Sequence, residues 1–253
     1  MIKVHVEWGK QALLGKANTA IIVDCLSFST ALNVACENGA RVYPFPLSSK
    51  AGKFAKLVDA KVVGKRAELG LSLSPPSLAK LDANDQVVLP SPNGSNLSLF
   101  ANHDLVLCAA LRNASAAATL ASSTGGDVII AAAGERWQTD GSLRPAIEDW
   151  IAAGAIASCF SVAELTSEAK HAVSAFNVVK GELAETLASS VSGTELAERG
   201  FVQDVEWAAQ LNVSTCVPKL NRLSSTYEDI GLHASDLPNA DILQRQIVSY
   251  SKA

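Results

Sequence analysis

Thr19-Ala20-Ile21-Ile22-Val23-Asp24-Cys25 is the stretch on which the fold turns. Its apolar residues fall on both alternating faces, as in a central strand covered by helices on either side. The run ends on an acid, and Ser27, Ser29 and Thr30 stand at the entrance of the next segment. That segment, "STALNVACENGA" (29–40), reads as a helix closed by Gly39 at its C′ position. A buried strand ending in an acid and hydroxyls at a helix entrance is the unit from which α/β sites are built.

The same order recurs along the chain. "KVHVEW" (3–8) reads as an edge or first strand, "RVYPF" (41–45) as a strand, "SKAGKFAKLVDA" (49–60) as a helix and "KVVGK" (61–65) as a short strand. "RAELGLSLSPPSLAKL" (66–81) is rich in Gly, Ser and Pro and reads as loop. "QVVLPSPNGSNLSLF" (86–100) and "HDLVLCAALRNASAAATLA" (103–121) each run strand, turn, helix, and "GDVIIAAAGERW" (126–137) is a strand entering a loop. From "SLRPAIEDWIAAGAIASCF" (142–160) the chain is mostly helical to about "DVEWAAQLNV" (204–213), and "TCVPKLN" (215–221) returns as a strand. This alternation predicts a three-layer α/β/α fold with a mostly parallel or mixed central sheet and a ligand cleft at the strand C-terminal ends. Residues 1–253 read as one α/β domain, whose mainly helical part from about residue 155 is the candidate for a separate lobe.

Composition narrows the function. A chain of 253 residues with 48% hydrophobic and 18% charged residues buries a large core. A net charge of −4 leaves no electrostatic footprint for nucleic acid. No apolar run is long enough to span a bilayer, and the alternating N-terminus does not read as a signal peptide. Five scattered cysteines without paired spacing fit a reducing cytoplasm and argue against a zinc knot. Nothing in the sequence fixes the oligomeric state, and a homo-oligomer stays open.

Four strands end in polar clusters: Asp24 with Ser27 and Ser29; Ser91, Asn93, Gly94 and Ser95; Arg112 with Asn113; Glu135 with Arg136. If those strands are parallel neighbours, the clusters meet in one cleft. Asp24 and the pair Glu148-Asp149 are hard oxygen donors of the kind Mg²⁺ prefers. Arg112, with Arg66 or Arg136, offers planar forks for phosphate or carboxylate oxygens. Ser91 to Ser95 adds hydroxyls, an amide and backbone N–H groups. Carboxylates for a metal beside donors for an anion point to metal-assisted chemistry on a small phosphorylated acid. Each motif also has a plain structural reading: Asp24 as a cap, "SPNGS" as a turn, and Glu148 and Asp149 as first-turn acids favoured by the helix dipole.

The ordered set "VDCLSFSTAL", "SPNGS", "LRNASAAA", "AAGERW…IEDWIAAGAI" and "GTELAERGFVQDVEWAAQLNVSTCVP" resembles the 2-phosphosulfolactate phosphatase family over about residues 3 to 220. The resemblance implies an α/β/α layered fold and a Mg²⁺-dependent phosphatase that converts 2-phosphosulfolactate to sulfolactate on the way to coenzyme M. Asp24, Ser29 and Thr30 match the family's first motif, in which Ser27 replaces an arginine and Phe28 an alanine. Gly64 and Arg66 match the next loop, where Lys65 replaces a glutamate and Ser74-Pro75 are kept. Pro92-Asn93-Gly94-Ser95, Asn113-Ala114 preceded by Arg112, and Glu148-Asp149 followed by Ala153-Gly154 match the rest.

The expectation is therefore a phosphatase for a small 2-phospho-carboxylic acid. Asp24, Arg112 and Asn93 are its catalytic candidates. Ser29, Thr30, Lys65, Arg66, Gly94, Ser95 and Asn113 are candidates for binding substrate, and Asp24, Glu148 and Asp149 for holding Mg²⁺. Either Lys65 replaces the charge lost at Ser27, or Glu68 or Glu135 replaces the acid lost at Lys65. The attacking group is water or Asp24 itself; Leu26 stands where aspartyl-phosphate enzymes carry a second acid, which favours water. The drift at Ser27 and Lys65 motivates the rival reading, a non-catalytic metabolite sensor on the same scaffold.

Overall fold

The computed structural model describes residues 2–64, 66, 70–237 and 240–253. A nine-stranded sheet forms its middle layer. Its strands are β1 (Val4–Trp8), β2 (Thr19–Val23), β3 (Arg41–Pro46), β4 (Lys61–Val62), β5 (Gln86–Ser91), β6 (Leu105–Cys108), β7 (Val128–Ala132), β10 (Pro218–Thr226) and β11 (Gln246–Lys252). The short strands β8 (Glu135–Arg136) and β9 (Leu143–Arg144) pair with each other in a separate antiparallel hairpin.

The strand order is β1-β7-β2-β6-β10-β11-β3-β5-β4. β1, β7, β2 and β6 form one parallel block, and β3, β5 and β4 another. Between them lies the antiparallel pair β10–β11, each member also antiparallel to the block it touches. The expected mixed, mostly parallel sheet is present.

All five residues of β2 are buried, and their alternation feeds two cores. Ala20 and Ile22 join Phe28, Leu32, Phe45, Phe54 and Tyr250 on one face. Ile21 and Val23 join Val6, Ile130, Ile151 and Leu187 on the other. The helix after β2 spans Phe28–Glu37, and Gly39 follows at φ +89, the left-handed turn expected of a C′ glycine. Helices Ala114–Ser123, Ile147–Ala157 and Ser167–Val179 contribute to the second core. A Cβ at Gly154 would lie 2.1 Å from the Ala172 carbonyl oxygen, so this glycine lets two of these helices pack backbone to backbone.

The segment 66–81 contains, besides loop, a short helix Pro75–Leu78 opened by proline at its first position. The strand predicted at 215–221 begins at Pro218 and runs on to Thr226, inside the sheet. Among the described residues no helix is long and apolar enough to cross a membrane.

Candidate active site

β5 is not a neighbour of β2; five steps along the sheet separate them, three of them antiparallel. A twist of roughly 20–25° per step accumulates to about 100–125° over that distance, enough to turn the carboxyl end of one parallel block towards that of the other. The contact is direct. The Gly94 N–H, just beyond β5, donates to Asp24 Oδ2 at 2.7 Å, and the Ser91 hydroxyl lies 3.5 Å from the same oxygen.

A cavity of about 910 Å³ opens at this junction. Asp24, Ser27, Ser91, Asn93, Glu135 and Arg66 line it, with Arg199 and Phe201 on a further wall. Asp24, Asn93 and Glu135, from the loops after β2, β5 and β7, meet here although β5 arrives from the opposite block; the fourth cluster, Arg112 with Asn113, does not join them.

Asp24, Glu135, Glu148 and Asp149 crowd this end of the sheet, and Glu195 also lines the cavity. Asp24 is buried, and loss of water, together with the charges of Glu135 and Glu148, pushes it up to about 7 against the Gly94 N–H that favours its ionised form. Burial also raises Glu135, opposed by the Asn93 amide, which donates to Glu135 Oε2 at 2.9 Å. Asp149 is raised by burial and by its neighbours Asp24 and Glu148. Glu148 is buried in the same first helical turn and accepts no hydrogen bond among the described residues.

Asp149 does structural work there. Its Oδ1 accepts the Cys25 N–H at 2.6 Å and its Oδ2 the Gly134 N–H at 2.8 Å, tying the turns after β2 and β7 together. Among the described residues no group of three or more His, Cys, Asp or Glu side chains is arranged to hold a metal ion. Asp24, Glu148 and Asp149 therefore do not form a three-ligand cage. The donors fit the looser mode of Mg²⁺, which takes one or two carboxylates and completes its shell with water and substrate oxygens. The cavity wall supplies Asp24 and Glu135, and Asn93 adds a buried amide oxygen, Oδ1, that has no hydrogen-bond partner among the described residues. Hard oxygens in excess, only partly offset by Arg144 beside Glu135, are what such an ion would neutralise.

The hydroxyls at the helix entrance face inward. Ser29 Oγ donates to the Asp24 carbonyl oxygen at 2.8 Å and accepts the Asp24 N–H, while Thr30 Oγ1 donates to the Cys25 carbonyl oxygen at 2.7 Å. Ser95 Oγ donates to the Leu89 carbonyl oxygen at 2.8 Å. All three are fully buried, so they shape the loops that carry Asp24 and Asn93.

Arg112 and Asn113 stand apart from the cavity. The Arg112 guanidinium lies over the Trp207 ring and bonds to Asn33, Gln210 and Glu37. Asn113 donates to the Cys216 carbonyl oxygen and accepts the Ala110 N–H, closing the turn after β6. Arg136 is exposed and is not in the cavity lining. Lys65 and Glu68 lie outside the described residues.

The cations of the site come from Arg66 and from a segment whose side chains sequence reasoning passed over. Arg66 Nε donates to the buried Asp204 at 2.8 Å, and its Nη2 reaches Ser27 Oγ at 2.8 Å. Ser74 donates to the other Asp204 oxygen. Arg66 and Arg199 lie 5.7 and 5.9 Å from the Phe201 ring centre. The signal was present, because Arg199, Phe201 and Asp204 all fall inside "GTELAERGFVQDVEW". No local pattern links that helical run to a loop more than a hundred residues earlier.

The 2-phosphosulpholactate phosphatase family model matches residues 9–222. A probable 2-phosphosulfolactate phosphatase of Carboxydothermus hydrogenoformans is 25% identical over 228 residues, covering 86% of this chain and 93% of that protein. The match runs from β1's end through the helix that carries Asp204 and into β10, and so takes in every strand and loop of the cavity described above. The chain belongs to the 2-phosphosulpholactate phosphatase family, a family of phosphoric monoester hydrolases.

Proposed function

We propose that the protein is a cytoplasmic, Mg²⁺-dependent phosphatase that hydrolyses a small 2-phospho-carboxylic acid, 2-phosphosulfolactate being the candidate the family name supplies. The observation that carries this reading is a single cavity that brings Asp24, Glu135, Glu195 and the Asn93 amide oxygen together with Arg66 and Arg199. Asp24 and Glu135, which line the cavity, would hold the ion, with Glu148 and Asp149 deepening the negative potential behind them. Bound there, Mg²⁺ supplies neutralisation of phosphoryl charge. Arg66, fixed by Asp204, and Arg199 face the remaining anionic groups of the substrate. Asn93 orients Glu135 through its amide.

Water is the attacking group in this reading. Leu26, two residues after Asp24, is a cavity-lining aliphatic side chain rather than the second acid that aspartyl-phosphate phosphatases carry at that spacing. Phosphate found on Asp24 by mass spectrometry after turnover would reverse that assignment. Family membership weighs against a sensor without turnover.

The test is phosphate release from 2-phosphosulfolactate and related 2-phospho acids, with and without Mg²⁺, in wild type and Asp24→Asn. The expected result is Mg²⁺-dependent release that falls at least about 100-fold in the variant, the scale of losing a positioned charge-stabilising group. Release that is independent of Mg²⁺, or unchanged in Asp24→Asn, contradicts the proposal.

A further inference from the structure

A second cavity, of about 530 Å³, lies where the chain enters β2, β6 and β11, at the opposite end of these strands from Asp24. Leu13 to Asn18, Phe100, Asn102, His103 and Arg245 line it. No carboxylate is among these residues, whereas Lys16 and Arg245 are both present.

Further positive charge gathers around the same ring. Lys10 Nζ sits 4.0 Å from the centre of Phe100, and the Arg245 guanidinium 5.5 Å from it. Arg222 Nη2 bonds to the Ala101 and His103 carbonyl oxygens. Arg245 uses Nη1 to cap the Leu99 and Phe100 carbonyl oxygens at 3.0 and 3.1 Å, which leaves its Nε and Nη2 uncommitted among the described residues.

His103 supplies the second, independent observation. His103 is only 7% exposed, yet among the described residues neither ring nitrogen makes a well-formed hydrogen bond, although the Gly15 carbonyl acts on the ring as an acceptor. Buried polar nitrogens without partners are rare in native proteins, because they have lost water and gained nothing in return. Burial and Arg222 favour the neutral ring; Asp104, and the Gly15 carbonyl nearby, act the other way. Asp104 lies within reach of the Asn18 amide, at 3.4 Å, and is not part of the wall. An imidazole N–H, a lysine and an arginine fork converging on a cavity free of carboxylates form a receptor for an oxyanion.

We infer that this cavity is a binding site for a small ligand bearing a phosphate or carboxylate group, distinct from the carboxylate-lined cavity at the other end of the strands. Leu13, Leu14 and Phe100 give the ligand's apolar part a wall, and Lys16 is its entry charge. The site stands independently of the reaction proposed above.

The experiment uses the full chain with ¹³C-labelled histidine and follows the four histidine ring signals by NMR, His103 being assigned with His103→Gln. Inorganic phosphate and acetate are titrated separately, without Mg²⁺, so that the two arms separate phosphate from carboxylate recognition. The expected result is a saturable shift of His103 with at least one probe while His5, His171 and His233 stay still. The shift should persist in Asp24→Asn and weaken at least about tenfold in apparent affinity in the Lys16→Gln/Arg245→Gln double variant. Lys16→Gln alone, a change at an exposed residue, provides the same reading should the double variant fold poorly. No saturable shift with either probe, or one left undiminished by these substitutions, overturns the inference.

Discussion

Gly94 has no room for a side chain. A Cβ there would stand 2.2 Å from Phe28 Cδ1 and 2.9 Å from Asp24 Oδ2, so the loop after β5 approaches Asp24 only because this residue has none. Gly94→Ala should therefore push the loop off Asp24, lowering stability by about 1–3 kcal/mol as overpacking does and reducing phosphate release more than substrate affinity. Urea unfolding and steady-state kinetics check both parts; a fully active, equally stable variant would show the contact to be dispensable. Ser27 teaches a related point. Where the resembling motif carries an arginine, this chain has a serine, and the Arg66 fork from another loop rests on that hydroxyl. A residue-by-residue comparison registers the lost charge at position 27 but cannot show that a cation already stands there from elsewhere.

Among the elements, the short 3₁₀ turn Ala234–Asp236 is pinned to the helix Ala51–Leu57 by charge. Asp236 pairs with Lys53 at 2.5 Å and Lys50 at 3.6 Å and accepts the His233 N–H; the Lys53 bond is the main reason its carboxyl falls from the ordinary 3.8 to about 2. Because the folded value is the lower one, this contribution to stability is complete above the ordinary value and fades as pH falls through about 2. Asp236→Asn should lower the melting temperature at neutral pH and flatten its decline on that acid limb, measured by circular dichroism. An acid limb identical to wild type would refute the assignment.

Elements differ in how plainly the sequence announces them. Apart from Thr19 and Cys108, β2, β6 and β7 are runs of Val, Ile, Leu and Ala, and their apolar pattern and flanking turns are local facts. β8 and β9 have two residues each, too few for any period to show, yet they place Glu135 at the cavity. The sequence reading extended no strand beyond Asn221, and Gln246–Lys252 mixes serine and tyrosine with its aliphatics, so β11 lacks the plain apolar signature of its neighbours.

At the scale of the molecule, what no local pattern carries is the sense of the sheet. The carboxyl ends of β2 and β5 meet because two parallel blocks are joined through an antiparallel pair and the whole twists. Asp24, Asn93 and Glu135 were legible as chemistry at strand ends, and their meeting depended on that topology. The Arg66–Asp204 pair joins residues 138 positions apart and was legible nowhere. Deleting 246–252 removes β11, the strand between β10 and β3. The shortened chain should lose cooperative unfolding and near-ultraviolet dichroism; a cooperative melt equal to wild type would show the blocks cohere without it.

The same arrangement dictates a timetable. β10 and β11, the two strands that span the gap between the blocks, come after every other strand of the sheet in chain order. Until they arrive, β6 and β3 each present an unpaired edge, the kind of surface that invites pairing with another chain. Synthesis of this enzyme therefore passes through a vulnerable interval that ends only once β11 has emerged, and a stall of translation before that point exposes two open sheet margins at once.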